Sequence, residues 1–279
     1  MSWPRGTPRL RGRPSRTICT ERIHPMPDAS ARPTSEPARS GSGRRAKNVL
    51  PPREDPNVWY RQPLASLDFE TTGVDPHRDR ILSFAALSDV GGDLMGMVNP
   101  GVPIPESSAD IHGITEKDLA SSPMSAQALR PVLAWLHDLV QRRIGLVVYN
   151  ASFDLTLLRA EAVRHDLGEP DWDRLLVVDP FVIDWGVDRE RTGQRRLGDV
   201  AAHYGVRLDK AHDAAQDARA ARELAIAMGQ TYPKVVASSL TMLMAQQRYW
   251  IAARTMEWNR RAHELGRGLT IPDQNWPFA

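Results

Sequence analysis

The chain has 279 residues, with 36 lysines and arginines, 34 aspartates and glutamates, and a formal net charge of +2. Its 41% of hydrophobic and 25% of charged residues are ordinary for a globular protein and exclude collagen-like and wholly disordered classes. The single cysteine, Cys19, excludes an internal disulfide, a thiolate zinc cluster and an iron–sulfur site. We expect no membrane association and a cytoplasmic location, because the chain has neither a spanning apolar stretch nor the apolar region of a secretory signal.

The N-terminal segment, residues 1–57, is predicted to be a disordered leader. It holds ten of the 22 prolines and almost no periodic apolar residues, so it cannot bury enough surface to offset the entropy of ordering. Residues 1–50 carry a net charge of +8, which leaves −6 for residues 51–279. A basic leader can attract polyanions, but a solvated tail is the simpler interpretation.

Three strands are predicted at the start of the body. Residues 64–69 form a short apolar run that ends in Thr-Thr-Gly, which is typical of a strand followed by a turn. Residues 80–89 and 94–98 are two further strands, and the Val-Gly-Gly-Asp segment between them predicts a hairpin.

Helices and one parallel strand are predicted next. Thr115 is expected to cap a short helix, and apolar residues at helical spacing predict a helix over 125–142 that Pro131 would split or kink. Residues 144–149 are continuously apolar and predict a buried strand, and Ser152 is expected to cap the helix that follows it.

The remaining segments complete an α/β domain with a mixed sheet. Two helices are predicted over 196–204 and 213–228, and one long helix over 234–265. We therefore divide the chain into the leader, a domain over 58–229 and a C-terminal helical extension over 230–279.

Two acidic residues mark the end of the first strand. Asp68 and Glu70 stand two positions apart and therefore share one face of the strand, while Leu67 and Phe69 face the other way. Two adjacent carboxylates are costly without a compensating cation, and carboxylate oxygens are the ligands that Mg²⁺ prefers. The alternative is a polar strand end exposed to water.

Further acids follow at later element ends. Asp154 lies just after an apolar strand, in the first turn of a helix, where it is either a ligand-site residue or a partner of the helix dipole. Asp213 and Gln216 fit a capping box, so His212 lies just before a helix and Asp217 projects from its first turn. A histidine at such a position is often structural, but the fourth acid beside it favours a common site.

Together these motifs resemble the DnaQ-like 3′→5′ exonucleases of the DEDDh type. Residues 67–73 resemble the family's first motif, residues 150–154 reproduce its Asn-x-x-Phe-Asp motif, and residues 212–218 match His-x-Ala-x-x-Asp-Ala. The His-Gly-Ile segment at residues 112–114 resembles that of proofreading subunits of the polymerase III epsilon type. The resemblance implies a ribonuclease H-like fold, with a five-stranded mixed sheet flanked by helices.

The resemblance also implies a two-metal mechanism with Mg²⁺, for which Mn²⁺ substitutes. Asp68 would bridge two cations, Glu70 and Asp217 would complete the first site, and Asp154 would hold the second. His212 would act as the general base on the attacking water, and the products would be 5′-mononucleotides released from a 3′ end.

Five residues are expected to contact the substrate by the same resemblance. They are Thr71, Thr72, Gly73, His112 and Asn150, although Asn150 could equally support its own loop.

The expected substrate is single-stranded DNA, with a DNA polymerase or a sliding clamp as an expected partner. An RNA-directed exonuclease and a nucleic-acid-binding accessory subunit of a polymerase are the two alternatives, since no residue identifies a contact to a 2′-hydroxyl.

The C-terminal segment offers weaker signals. Trp250 and Trp258 are expected to be core contacts rather than a base-stacking platform. Residues 274–278 faintly resemble a clamp-binding peptide.

Overall fold

The protein is a mixed α/β domain, which we describe from a computed structural model. The structure describes residues 58–209, 211–233, 239–268, 271 and 275–279. The leader predicted over residues 1–57 lies outside the described residues. None of the helices in the described part of the chain is long and apolar enough to cross a membrane.

Five strands form one sheet in the order β3-β2-β1-β4-β5. The strands are β1 (Leu64–Thr71), β2 (Ile81–Ser88), β3 (Leu94–Met97), β4 (Gly145–Val147) and β5 (Val177–Val178). Strands β1, β2 and β3 pair antiparallel, whereas β4 pairs parallel with both β1 and β5. The predicted mixed five-stranded sheet is therefore confirmed, and β1 lies at its centre.

Eight α-helices surround the sheet in the described part of the chain. They are α1 (Glu106–His112), α2 (Glu116–Leu119), α3 (Ser125–Arg142), α4 (Ala151–Arg164), α5 (Pro180–Val187), α6 (Leu197–His203), α7 (Ala214–Thr231) and α8 (Leu240–Glu264). Single-turn 3₁₀ helices lie at Trp59–Arg61 and Trp172–Arg174.

The two faces of the sheet have different neighbours. Near the acidic residues, Ala85 and Leu87 of β2 pack against Ala214 and Ala218 of α7, whose small side chains let the helix approach closely. The opposite face carries the apolar side chains of β1 and belongs to the main core, to which α3 and α4 also contribute. Helix α7 is thus held against the side of β1 that presents the acids.

Local signals explain most of the boundaries. Gly91 and Gly92 adopt positive φ angles of 84° and 82° in the β2–β3 hairpin, as the Gly-Gly turn predicts. The carboxylate of Asp118 accepts hydrogen bonds from the amide and the hydroxyl of Thr115, so the predicted cap of α2 is confirmed.

Several local expectations were wrong. Helix α3 continues through Pro131, so the predicted split does not occur; Pro131 and Gln127 are both exposed, and water can reach the carbonyl that proline leaves unpaired. Helix α4 begins after Asn150 in a left-handed conformation, so Ser152 is not its cap. Helices α1 and α5 were not predicted, since each is short and lacks a periodic apolar pattern.

Helix α8 covers the outer edge of β5. The predicted helix over 234–265 is confirmed from Leu240 onward, with Ser239 as its cap, and residues 234–238 lie outside the described residues. Trp250 is buried and Trp258 is half-buried, in agreement with a packing role. Trp276, in the clamp-like segment, is also buried, and Phe278 packs edge-on against Trp172. Both aromatic side chains of the clamp-like peptide therefore contact this domain.

Candidate active site

Strand β1 presents Asp68 and Glu70 on the face that lies against α7. In the antiparallel register, Asp68 is opposite Ala85 and Glu70 is opposite Ser83, and the register shifts directly after Glu70. The carboxylates of Asp68, Glu70 and Asp217 bring oxygen atoms within 4.8 Å of one another. The structure thus unites the first and last acidic motifs of the sequence.

Asp217 is held by the turn that begins α7. The Asp213 carboxylate accepts a hydrogen bond from the Gln216 amide at 3.3 Å, which confirms the predicted cap. His212, just before the cap, has a φ of 63°, and its amide donates to Asp217 Oδ2 at 3.1 Å. The second oxygen, Asp217 Oδ1, is buried and has no hydrogen-bond partner among the residues that the structure describes.

Asp154 lies in the first turn of α4 and is buried. Burial raises its pKa well above the usual range, Asp179 and Glu70 raise it further, and its own amide and that of Phe69 oppose the rise. Because β4 ends at Val147, the part of β1 that contains Phe69 is unpaired on this side and open to Asp154. Asp154 is thus near enough to raise the pKa of Asp68, although it is not one of the three residues whose carboxylate oxygens lie within 4.8 Å of one another.

The carboxylates strongly disfavour one another's ionisation. Burial, followed by the charges of Asp154, Asp217, Glu70 and Asp213, raises the pKa of Asp68 well above its usual range. Burial and the charges of Asp217 and Asp213 raise the pKa of Glu70 to about 7. Burial is also the main cause of a raised pKa at Asp217.

This cluster fits a hard divalent cation. The cluster offers carboxylate oxygens, one of which is buried without a hydrogen-bond partner among the described residues, and the pKa of Asp217 stays raised although His212 opposes the rise, so the ionised state needs further positive charge. A divalent cation would supply that charge.

A groove of about 360 Å³ lies beside the acids. Its floor includes Glu70, Ser83 and Met97, and its walls are formed by His112 and by the turn at His212. A larger groove of about 610 Å³ lies along β3 and α3, away from the acids. Chemistry, rather than volume, identifies the smaller groove as the site.

The two predicted histidines face each other across this groove. His112 Nδ1 accepts a hydrogen bond from the Ile114 amide at 3.0 Å, so a neutral ring carries its proton on Nε2. Burial lowers the pKa of His112, the Thr71 carbonyl opposes this, and His212 lowers it further. His212 itself is exposed, with access to solvent and to the groove.

The threonines predicted to contact substrate are engaged within their own loop. Thr71 Oγ1 donates to the Gly73 carbonyl at 2.7 Å, and Thr72 Oγ1 donates to Asp79 Oδ1 at 2.9 Å. A Cβ at Gly73 would lie 2.5 Å from Asp79 Oδ2, so the Asp79 carboxylate requires glycine there. Both threonine hydroxyls therefore already donate to acceptors within the loop.

Asn150 occupies the bend that leads into α4. It has a φ of 60°, and its amide donates to Asp179 Oδ1 at 2.9 Å. Its side chain is exposed and makes no cap hydrogen bond, so the backbone conformation is what Asn150 contributes locally.

Asp179 is a site residue that was not predicted from the sequence. This buried residue contacts the start of α4 and is the N-cap of α5. The signal was present, because Asp179 follows an apolar run and precedes Pro180, a proline favoured in the first turn of a helix.

The sheet order and the acidic cluster at the end of the central strand define a ribonuclease H-like nuclease domain. Residues 66–225 match the RNase T family, which is described as an exonuclease. The match covers more than half of the chain, and the chain therefore belongs to this exonuclease family.

The relatives place this domain within larger proteins. The chain is 27% identical over 181 residues to a PolC-type DNA polymerase III of Thermotoga maritima, covering 63% of this chain and 12% of that protein. It is 39% identical over 99 residues to a DNA polymerase III subunit epsilon-like protein of Rhodobacter capsulatus, covering 33% of this chain and 13% of that protein. The chain thus spans a small part of each of these relatives.

Solved structures share the fold. E. coli exonuclease I, in complex with a dA16 oligonucleotide, has a TM-score of 0.54 at 19% identity, covering 68% of this chain and 45% of that chain. Exonuclease I from Methylocaldum szegediense has a TM-score of 0.50 at 22% identity, covering 74% of this chain and 45% of that chain.

Proposed function

We propose that this exonuclease removes 5′-mononucleotides from the 3′ end of single-stranded DNA, using two divalent cations. The observation that carries the proposal is the convergence of Asp68, Glu70 and Asp217, with oxygen atoms within 4.8 Å, beside a groove lined by His212. The relatives named as DNA polymerases and the fold shared with an oligodeoxynucleotide-bound exonuclease support DNA as the substrate.

The acids would hold the cations in a definite arrangement. Asp68, which lies near both Asp154 and Asp217, would be shared by the two ions, Glu70 and Asp217 would help to hold the first, and Asp154 would hold the second. Two divalent cations, when bound, would stabilise the attacking and leaving oxygens of an in-line displacement and activate the attacking water. Mg²⁺ is the proposed ion, with Mn²⁺ as a substitute, because every donor is a carboxylate.

His212 would accept the proton of the attacking water. Its exposed ring borders the groove that contains Glu70, and its backbone fixes Asp217, so one turn positions both a base and an acid. His112 and the backbone of residues 71–73 and 150 are proposed to contact the terminal nucleotide. A DNA polymerase remains an expected partner.

The test is a degradation time course on 5′-labelled single-stranded DNA and RNA of equal sequence, with Mg²⁺, Mn²⁺ or chelator. We expect a metal-dependent ladder that shortens from the 3′ end and is absent in Asp68→Asn. Faster loss of the RNA would favour the RNA-directed alternative. Absence of cleavage with metal binding intact would favour a binding subunit.

A second variant tests the general base. His212→Ala should lower turnover roughly 10²- to 10⁴-fold while Mn²⁺ binding is retained. His137→Ala, at an exposed position of α3, is the matched control. Turnover of His212→Ala equal to that of the control would refute the assignment.

A further inference from the structure

Asp179, at the end of β5, accepts hydrogen bonds from the backbone at the start of α4. Its Oδ1 accepts from the amide of Asn150 at 2.9 Å, and its Oδ2 accepts from the amide of Ala151 at 3.0 Å. The Phe181 amide also donates to Oδ1, at 3.0 Å. These bonds fix the left-handed bend at Asn150, and the helix that leaves this bend carries Asp154 in its first turn.

Asp179 is itself fixed by α8. The Asp179 amide donates to Gln247 Oε1 at 2.7 Å, and Gln247 Nε2 donates to the Val177 carbonyl at 2.9 Å. One side-chain amide thus pairs with the open edge of β5 as a neighbouring strand would.

The position of Gln247 in the helix is unusual. It is fully buried on the same helix face as the apolar residues Leu243, Met244, Trp250 and Ile251, and Thr255 is a second buried polar residue of this helix. A buried amide is costly unless it is hydrogen-bonded, so an apolar residue would be the default here. Instead, both polar atoms of the Gln247 side chain form hydrogen bonds with the backbone of Val177 and Asp179, next to the carboxylate that binds the start of α4.

A second residue of α8 faces the same segment. Arg254 lies seven positions after Gln247, and its guanidinium lies 4.9 Å from the centre of the Phe181 ring. Burial lowers the pKa of Arg254, and the charge of Asp179 opposes this change. Helix α8 therefore contacts the Asp179 turn through both an amide and a cation.

We propose that Gln247 is a positioning residue of the active site, which acts through Asp179 to fix the orientation of Asp154 toward its cation. The inference rests on the proposed function, because it takes Asp154 as a metal ligand. Under this proposal the C-terminal helix is part of the nuclease and not an appendage. A packing role alone would require only that α8 cover the edge of β5.

The experiment compares Mn²⁺ binding by Gln247→Met and by the wild-type full chain, measured from the electron paramagnetic resonance signal of free Mn²⁺. Methionine matches glutamine in length and changes no charge, so any effect arises from the lost hydrogen bonds. We expect the affinity of one Mn²⁺ site to fall roughly 10-fold, the lower end of the loss that follows removal of a direct hydrogen-bond partner of a metal ligand, because Gln247 acts on Asp154 through Asp179. The other site should change much less.

Leu243→Ala is the matched control, because Leu243 is fully buried on the same helix. It should lower the urea midpoint without weakening Mn²⁺ binding by the folded protein. If Gln247→Met fails to fold, Gln247→Asn replaces it, since asparagine keeps the amide but is one methylene too short to make both bonds.

The outcomes separate the two proposals. A folded Gln247 variant that binds Mn²⁺ as tightly as Leu243→Ala overturns the positioning role, whether or not the wild type cleaves DNA. Wild-type protein that binds Mn²⁺ but cleaves no nucleic acid refutes the proposed function and leaves the Mn²⁺ comparison valid. Wild-type protein that binds no Mn²⁺ overturns both.

Discussion

Replacing Glu70 by glutamine should make the metal-free protein more stable while it abolishes cleavage. Glu70 is buried beside Asp217, and burial together with the charges of Asp217 and Asp213 raises its pKa from 4.5 to about 7. The folded chain therefore resists the ionisation that the unfolded chain undergoes freely. Glutamine keeps the shape of the side chain and removes the charge.

The magnitude follows from the shift in pKa. A rise from 4.5 to about 7 corresponds to about 3 kcal/mol of stability lost near pH 8, at 1.36 kcal/mol per pH unit. Because the folded pKa lies above the unfolded one, this loss is absent below pH 4.5 and develops as the pH rises through 7. The glutamine amide loses about 1–2 kcal/mol through incomplete hydrogen bonding, so we expect a net gain of about 1–2 kcal/mol near pH 8.

The assay is urea unfolding in the presence of chelator, near pH 8 and near pH 4.5. Glu223→Gln, at an exposed position of α7, is the control for removal of one negative charge. Near pH 8, the free energy of unfolding of Glu70→Gln should be higher than that of this control. Near pH 4.5 this difference should disappear. No gain near pH 8, or an equal gain at both pH values, would refute the argument that carboxylate repulsion destabilises the empty site.

Three further predictions concern the metal, the packing of α8 and a buried ion pair. Without divalent cations, stability should fall as the pH rises from 5 to 8, because four acids of the cluster have raised pKa values, and saturating Mg²⁺ should remove this fall in a thermal scan. In urea unfolding, Gly186→Ala should lower the free energy of unfolding by about 1–3 kcal/mol, because the new Cβ would lie 2.1 Å from the Trp250 ring. Gly198→Ala is the control, since its Cβ would have its closest contact at 3.9 Å, and it should leave the free energy of unfolding unchanged or raise it. Asp184→Asn should lower the free energy of unfolding by about 3 kcal/mol in the same assay. The reason is that the Arg191 guanidinium, 2.9 Å from this buried carboxylate, would lose its counter-charge. A cost below about 1 kcal/mol would show that solvent already screens this pair.

The local parts of the site could be predicted from the sequence. Asp68 and Glu70 share a face because side chains alternate along a strand, and Asp217 follows a helix start marked by Asp213 and Gln216. Each of these features depends on residues only a few positions apart. The order of the motifs then indicated the family, to which the chain does belong.

The tertiary structure alone decided how these parts are supported. The two-residue strand β5 is too short to show a period, and its outer edge is completed by Gln247, which stands far away in the chain. The apolar residues at helical spacing around Gln247 place it on the buried face of α8, but only the tertiary structure decides which backbone edge that face meets and therefore what its amide binds. The left-handed bend at Asn150 likewise persists because Asp179 accepts its amide. Local sequence thus specified which acids could form the site, whereas contacts between distant segments determined how they are held together.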